Sequence, residues 1–313
     1  MIDLNLIVAV LISGLAAVLV YELYNSRRIR FRSLRIDSAL KAETDRGNEL
    51  KILHLSDIHT CKSSGRKLAA VEAMSQKEWD FVFITGDLIE NDSGIEPVAA
   101  ALGKLKAKYG KFAVLGNHDY FSFQPQNIVQ WFQALFASTI EICQTDCRVP
   151  NDIERLLDSL KRVGVCVLRN EVVEGVTDQG CPYQIFGIDD PSTERDNPTV
   201  LVERKNREAL RLVLMHSLHR LDSVRPLEPE VIICGHTHGG QIRIPFFGAL
   251  YTDSDAPRRA ASGLIWLEGC CVHISPGIGA GLIFPYRINS PPEITEIIIP
   301  QVVPATDRLD SEF

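Results

Sequence analysis

The 313-residue sequence has no excess of positive charge: 33 Lys and Arg stand against 40 Asp and Glu, a formal net charge of −7. A protein that grips a nucleic-acid backbone needs clustered cations, so no nucleic-acid partner is expected. The cysteine framework of a small secreted domain is also missing. Eight cysteines are spread irregularly over a chain large enough to bury its own core, and they read as reduced thiols. Cys143 and Cys147 have chelating spacing, but no second pair follows, so structural zinc is not implied. There is no internal repeat and no low-complexity tract. What remains is an ordinary globular composition, 45% apolar, with one long hydrophobic run.

That run extends from Leu4 to Tyr24, apolar nearly all round, and about 20 such residues suffice to cross a bilayer as a helix. Arg27, Arg28, Arg30, Arg32 and Arg35 follow it, whereas only Asp3 and the terminal amine precede it, so the positive-inside rule keeps the rest of the chain cytoplasmic. The run lacks the basic start and small-residue cleavage site of a signal peptide. The expectation is a single-pass protein of the inner (cytoplasmic) membrane. Residues 1–35 form the anchor and its basic flank, 36–49 a polar linker, 50–302 the folded domain and 303–313 a polar tail.

Within the domain, β-rich runs are expected at Lys51–Leu55, Asp80–Thr85, Lys111–Leu115, Gln184–Ile188, Leu212–Met215 and Val231–Cys234. Helical stretches lie at Arg66–Lys77, Ile95–Lys108, Ile128–Phe136 and Asp152–Arg162, giving an α/β alternation. From Gly263 to Val302 the pattern changes to strands and turns, as in a second sheet.

Five of the strands run directly into residues that bind metals, at the carboxyl ends where open α/β sheets hold ligands. Ser56-Asp57-Ile58-His59 follows the first and Gly86-Asp87 the second; Gly116-Asn117-His118-Asp119 follows the third. His216 closes the fifth run, and Gly235-His236-Thr237-His238 the sixth. Alternate spacing in Asp57/His59 and His236/His238 aims paired side chains at one point if the backbone stays extended. Carboxylate, imidazole and amide donors without thiolate suit Mn²⁺, Fe, Zn²⁺ or Mg²⁺. His54, His219 and His273 lie outside these motifs and are read as core or surface residues.

In this order the blocks DIH, GD, GNHD, a single His and GHTH resemble the signature of the calcineurin-like metallophosphoesterase superfamily, over about residues 50–300. The closer resemblance is to its bacterial membrane-associated branch, through Val167–Glu171, Gly187–Asp190, Gly239–Gln241, Pro285-Tyr286-Arg287 and Pro291–Ile294. The resemblance implies a four-layer α/β sandwich of two mixed β-sheets flanked by helices. It also implies two divalent metal ions, with Mn²⁺ first among the candidates: Asp57, His59 and His238 hold one, Asn117, His216 and His236 the other, and Asp87 bridges. His118 would stabilise the phosphoryl transition state or protonate the leaving group, and Asp119 would orient it.

The branch usually carries an arginine where this chain has Ser275-Pro276-Gly277, and Arg287 is the candidate substitute for contacting substrate. Residues 120–150 read either as a lid or as a helix packed on the sheet. Ile242, Ile244, Pro245, Phe246, Phe247 and Leu250 either receive acyl chains or belong to a packed second sheet. The resemblance further implies hydrolysis of a phosphodiester or pyrophosphate bond by metal-activated hydroxide. The expected partners are the bilayer and a membrane lipid or lipid-linked nucleotide, with UDP-2,3-diacylglucosamine of lipid A synthesis first. The alternatives are a phosphodiesterase or phosphatase of broad or soluble-substrate specificity and a non-catalytic membrane scaffold.

Overall fold

Short runs of β-branched and aromatic residues become the strands of two facing six-stranded sheets in the computed structural model, which describes residues 4–36, 49–124, 148–252, 254, 257–258, 261–267, 270–280 and 287–300. The first sheet has the order β1 (Arg30–Arg35), β16 (Glu293–Pro300), β2 (Glu49–Leu55), β3 (Glu78–Thr85), β4 (Lys106–Val114) and β7 (Val165–Val167). The second runs β14 (Gly263–Leu267), β15 (Cys270–Ile274), β11 (Val231–Cys234), β10 (Leu210–Leu214), β9 (Pro182–Gly187) and β8 (Glu171–Val176). Both sheets are mixed. β2, β3, β4 and β7 are parallel, as are β9, β10, β11 and β15, so each set ends on one edge.

The strands with both faces covered carry nearly continuous apolar sequence, as such strands must. Ile52, Phe81, Phe83 and Val114 of the first sheet interdigitate with Ile185, Leu212, Leu214 and Ile233 of the second. The outer face of the first sheet buries Leu53, Val82 and Ile84 under α2 (Gly65–Ala73), α3 (Ile95–Gly103) and, beyond the single turn α4 (Asn117–Tyr120), α5 (Ile153–Arg162). Phe81 is fully buried between the sheets, and Phe81→Ala should cost about 3–5 kcal/mol. The second sheet's outer face is covered instead by 3₁₀ turns, Pro198–Arg204 and Leu221–Leu227, whose Leu201, Val224 and Leu227 fill that layer. Prolines at Pro198 and Pro226 suit tight turns there and oppose a regular α-helix, so the helical flank expected on this side is 3₁₀.

Three boundaries differ from expectation. The basic flank, expected to precede the linker and the domain, contributes a strand: β1 pairs in parallel with β16, from Arg30 opposite Glu293 to Arg35 opposite Ile298, so the first sheet includes residues before the expected start at Leu50. Its arginines are tolerated because β1 is an edge strand with one ladder open to water. The last residues of the second expected helix, Lys106 to Lys108, belong to β4, since the chain leaves α3 at Gly103. The C-terminal strands are divided: β14 and β15 extend the second sheet, while β16 returns to the first between β1 and β2.

α1 (Leu4–Asn25) is a 22-residue helix, about 33 Å long at 1.5 Å per residue. Part of its side chains fall outside the described set, and among the described residues no helix is long and apolar enough to cross a membrane. The expected linker core 37–48, the helix Ile128–Phe136, the body of the lid segment, Cys143, Cys147 and the tail 303–313 lie outside the described residues.

Candidate metal centre

The parallel strands deliver every expected ligand to one edge. Asp57 and His59 follow β2, Asp87 follows β3, Asn117 opens the turn after β4, His216 follows β10, and His236 and His238 follow β11. Loop-to-loop bonds knit these ends together: Asp57 N–H donates to the Gly86 carbonyl at 3.0 Å, His59 N–H to that of Asp87 at 2.8 Å, and Gly235 N–H to that of His216 at 2.9 Å.

The alternate ligands converge for a reason other than the extended backbone expected. Asp57 (φ 50°), His59 (47°), Asp87 (52°), His236 (70°) and His238 (49°) are all left-handed, five of the twelve described non-glycine residues with positive φ. A side chain there costs about 1–2 kcal/mol, so the surrounding bonds must over-determine the conformation. The turn at Gly86 (φ 77°) has no room for a side chain, since a Cβ would lie 2.4 Å from His216 Nδ1.

Two ligand sets share one carboxylate. Ligand atoms of Asp57, His59, Asp87 and His238 lie within 4.8 Å of one another, and so do those of Asp87, His216 and His236. His59 Nε2 is 3.3 Å from His238 Nε2 and 3.4 Å from Asp87 Oδ2; His216 Nε2 is 3.0 Å from His236 Nδ1 and 3.4 Å from the same Oδ2. Ring nitrogens this close repel through their lone pairs unless a proton or a cation lies between them.

The opposite edges of two rings choose the cation. His216 Nδ1 lies 2.8 Å from the Thr85 carbonyl, which only accepts, so Nδ1 carries the proton and Nε2 of the neutral ring presents its lone pair. His59 Nδ1 lies 2.8 Å from Glu90 Oε2, with the same effect. Asn117 Oδ1 is buried and has no hydrogen-bond partner among the described residues, as a ligand oxygen without its ion would. The donor set therefore fits two divalent cations.

Without ions, the charges balance among themselves. Burial would raise the Asp87 carboxyl, yet His216, His118 and His59 hold it well below the usual range. Burial would lower His216, yet Asp87 lifts it well above. His59 is likewise raised, burial being outweighed by its bond to Glu90 and the charges of Asp87, Glu90 and Asp57. Metal ligation requires neutral imidazoles, so cation uptake must expel protons.

Three expected roles change. Asp119 does not orient His118: its buried carboxylate accepts N–H bonds from Leu88 (2.8 Å), Ile89 (3.1 Å) and Gly116 (2.9 Å), tying the β3 and β4 loops together. The one-turn helix α4 sends consecutive side chains apart, and burial with Asp87 nearby raises the Asp119 carboxyl to about 7. His118 does face the centre. Its ring meets that of His59 edge-on at 4.7 Å, its side chain is 24% exposed, and its Nδ1 has no hydrogen-bond partner among the described residues, with Glu90 Oε2 3.8 Å away. Burial lowers its pKa against the pull of Asp87, which favours a neutral N–H donor over the protonated ring that proton donation to the leaving group needs.

Arg287 is brought to the site from behind. It is buried, and its guanidinium donates to the carbonyls of Pro276 (2.6 Å) and Gly279 and contacts His238 Nδ1 at 3.1 Å. It holds the Ser275-Pro276-Gly277 loop, which supports Asp57 through the Gly279 N–H to Asp57 carbonyl bond of 2.6 Å.

Sequence reasoning missed Glu90, a buried carboxylate between His59 and His118. Its signal is the spacing Asp87-x-x-Glu90 on the loop after β3. It also missed a buried polar chain behind Asp57: Ser56 Oγ donates to Asp57 Oδ2 at 2.5 Å, Thr85 Oγ1 to Ser56 Oγ at 2.8 Å, and His54 joins Thr85 to His273 at 2.8 and 3.1 Å. His54 and His273 are core residues as expected, whereas the His219 ring stands 5.7 Å from that of His236, at the site's rim.

Comparison with known proteins gives the same picture. The profile of the calcineurin-like phosphoesterase family matches residues 50–240. The uncharacterized metallophosphoesterase YkoQ of Bacillus subtilis is 29% identical over 275 residues, covering 87% of this chain and 90% of its own. A transmembrane protein with metallophosphoesterase domain from Danio rerio is 28% identical over 268 residues, 81% of this chain but 54% of that protein, so the chain spans about half of that relative. Phosphodiesterase YaeI of Escherichia coli is 25% identical over 256 residues, 80% of this chain and 82% of its own.

Proposed function

From the premise that the chain belongs to the calcineurin-like phosphoesterase family and is a metal-dependent phosphoester hydrolase, we propose that it works at a membrane and cleaves a phosphodiester or pyrophosphate bond in a lipid-linked nucleotide. The substrate put first is UDP-2,3-diacylglucosamine, giving UMP and the diacylated sugar phosphate of lipid A synthesis, with Mn²⁺ as the working ion. The observation that carries the reaction class is the sharing of Asp87 by two ligand sets.

Two divalent cations held there would supply Lewis acidity to a phosphate ester and acidify a water molecule. The ligands Asp57 and Asp87 bring two negative charges against four positive ones, so the loaded site favours an anion. His118 stands at the open side, where its imidazole N–H can donate to a phosphoryl oxygen or to the leaving group. Glu90 fixes the His59 tautomer and places a carboxylate oxygen 3.8 Å from His118 Nδ1. Asp119 and Arg287 keep the loops beneath these groups in place.

Support for the membrane comes from α1, whose Val10, Ile12, Val18, Val20, Tyr21 and Tyr24 are exposed, and from the arginines that follow it. With those arginines on the cytoplasmic side, the site faces the cytoplasm. The second reading, a broad phosphodiesterase, is favoured by the name of the Escherichia coli relative.

Detergent-solubilised full-length protein should release UMP from UDP-2,3-diacylglucosamine with Mn²⁺, and Asp87→Ala should abolish it. Hydrolysis of bis(p-nitrophenyl) phosphate alone would leave the second reading and remove the lipid substrate. No turnover with Mn²⁺, Mg²⁺ or Zn²⁺ would return the chain to a scaffold.

A further inference from the structure

Immediately after His238 the chain forms a two-stranded hairpin, β12 (Arg243–Ile244) and β13 (Gly248–Ala249), joined by Pro245-Phe246-Phe247. Among the described residues no second sheet covers its apolar side chains. Phe246 is 111% exposed, more open than in a reference peptide, and Phe247 is 62% exposed, with Ile244, Leu250 and Tyr251 also turned outward. Phe246 has φ 66°, a strained conformation for an aromatic residue. An exposed, strained and aromatic tip gains nothing from water and marks a contact with something else.

The hairpin is tied to the end of α1. Arg243 N–H donates to the Ile288 carbonyl at 3.0 Å, Ile288 N–H donates to that of Gln241 at 2.9 Å, and the next residue, Asn289, donates its N–H to Glu22 Oε2 of α1 at 2.6 Å. On the other side Ser290 Oγ donates to the His238 carbonyl at 2.9 Å. One short loop thus joins α1, the hairpin and a metal ligand.

We propose that this hairpin is a second membrane contact: its aromatic tip enters the interfacial layer of the bilayer beside α1 and seats the metal centre against the lipid headgroups. The inference rests on the membrane reading of α1 above. Among the described residues nothing packs over Phe246, so the tip suits insertion into a fluid layer better than enclosure of one acyl chain. Aromatic residues with nearby arginine are the composition of that layer. Arg258 lies 5.9 Å from the Phe247 ring, and Arg27 and Arg28 follow α1. Headgroup phosphates would meet these cations while the rings go deeper. Because His238 lies at the foot of the hairpin, seating it would bring phosphoesters at headgroup level to the site without lifting the lipid out.

The test uses the full chain in vesicles of phosphatidylcholine and phosphatidylglycerol, with and without bromine on the upper part of the acyl chains. Phe246→Trp adds one fluorophore to the three native tryptophans. The added emission should fall by more than half in brominated vesicles. Recovery of the protein with vesicles without extra quenching overturns the proposal, and so does failure to recover it with vesicles. In parallel, the double variant Phe246→Ser, Phe247→Ser should turn over vesicle-borne substrate roughly tenfold more slowly yet hydrolyse bis(p-nitrophenyl) phosphate at the parent rate. Equal slowing on both esters counts against the proposal. If the parent protein hydrolyses neither ester, the enzymatic reading falls, while the quenching result still decides the hairpin.

Discussion

Replacing Glu90 by Gln keeps the shape of the side chain and removes the charge that His59 Nδ1–H meets at 2.8 Å. Two effects oppose each other. The carboxylate makes His59 a better and better-aimed ligand, and loss of such an outer partner lowers metal affinity about 10–100-fold, or roughly 1.4–2.7 kcal/mol. The same carboxylate raises the His59 pKa, so it also helps protons compete with the metal. The variant relieves that competition, which strengthens apparent binding at lower pH. Well above the raised His59 pKa the competition vanishes and the full deficit shows; as pH falls towards it, the deficit shrinks. Titration calorimetry of Mn²⁺ into metal-stripped protein at several pH values would follow both effects. An unchanged Kd near about pH 9, or a deficit that widens on acidification, would refute the assignment of Glu90.

His118→Ala should lower kcat about 10²–10⁴-fold while elemental analysis still finds the parent metal content, because His118 touches the ligands without being one. Asp119→Asn turns an amide NH₂ towards backbone donors, and chemical denaturation of the metal-free protein should show a loss of about 2–4 kcal/mol that His118→Ala does not share. Gly86→Ala forces a Cβ to within 2.4 Å of His216 Nδ1, so metal content should drop even where circular dichroism shows a folded chain. Parent-level metal in that variant would mean the β3 turn can shift without cost.

The strands and ligands were legible because each is a short apolar run followed by a metal-binding residue, and parallel pairing then places the ends together whatever the details. Glu90 was not, because its burial depends on contacts between loops: its N–H bonds to the Thr60 carbonyl at 2.9 Å, a meeting no local pattern announces. Asp119 was misassigned because adjacency in GNHD suggests that it serves His118, whereas a helical turn separates neighbouring side chains. The arginine-rich flank, with Phe31 and Leu34 among its cations, carried a charge signal strong enough to hide a strand. Left-handed geometry at five ligands has no sequence signature when the residues are Asp and His and not Gly.

The place of β16 governs when the protein can become active. It lies between β1 and β2, six residue pairs on each side, and among the described residues it is the last strand in sequence order. During synthesis β1 and β2 emerge early and must wait, each with an open ladder, until β16 leaves the ribosome to join them. Asp57 at the end of β2 is held early through β3 and the Gly86 carbonyl, but its bond from the Gly279 N–H and the second ladder of β2 wait for these later residues. A chain cut short before Glu293 loses the middle of a sheet and not its margin, so an incomplete product should be cleared as unfolded protein and never act as a partial hydrolase.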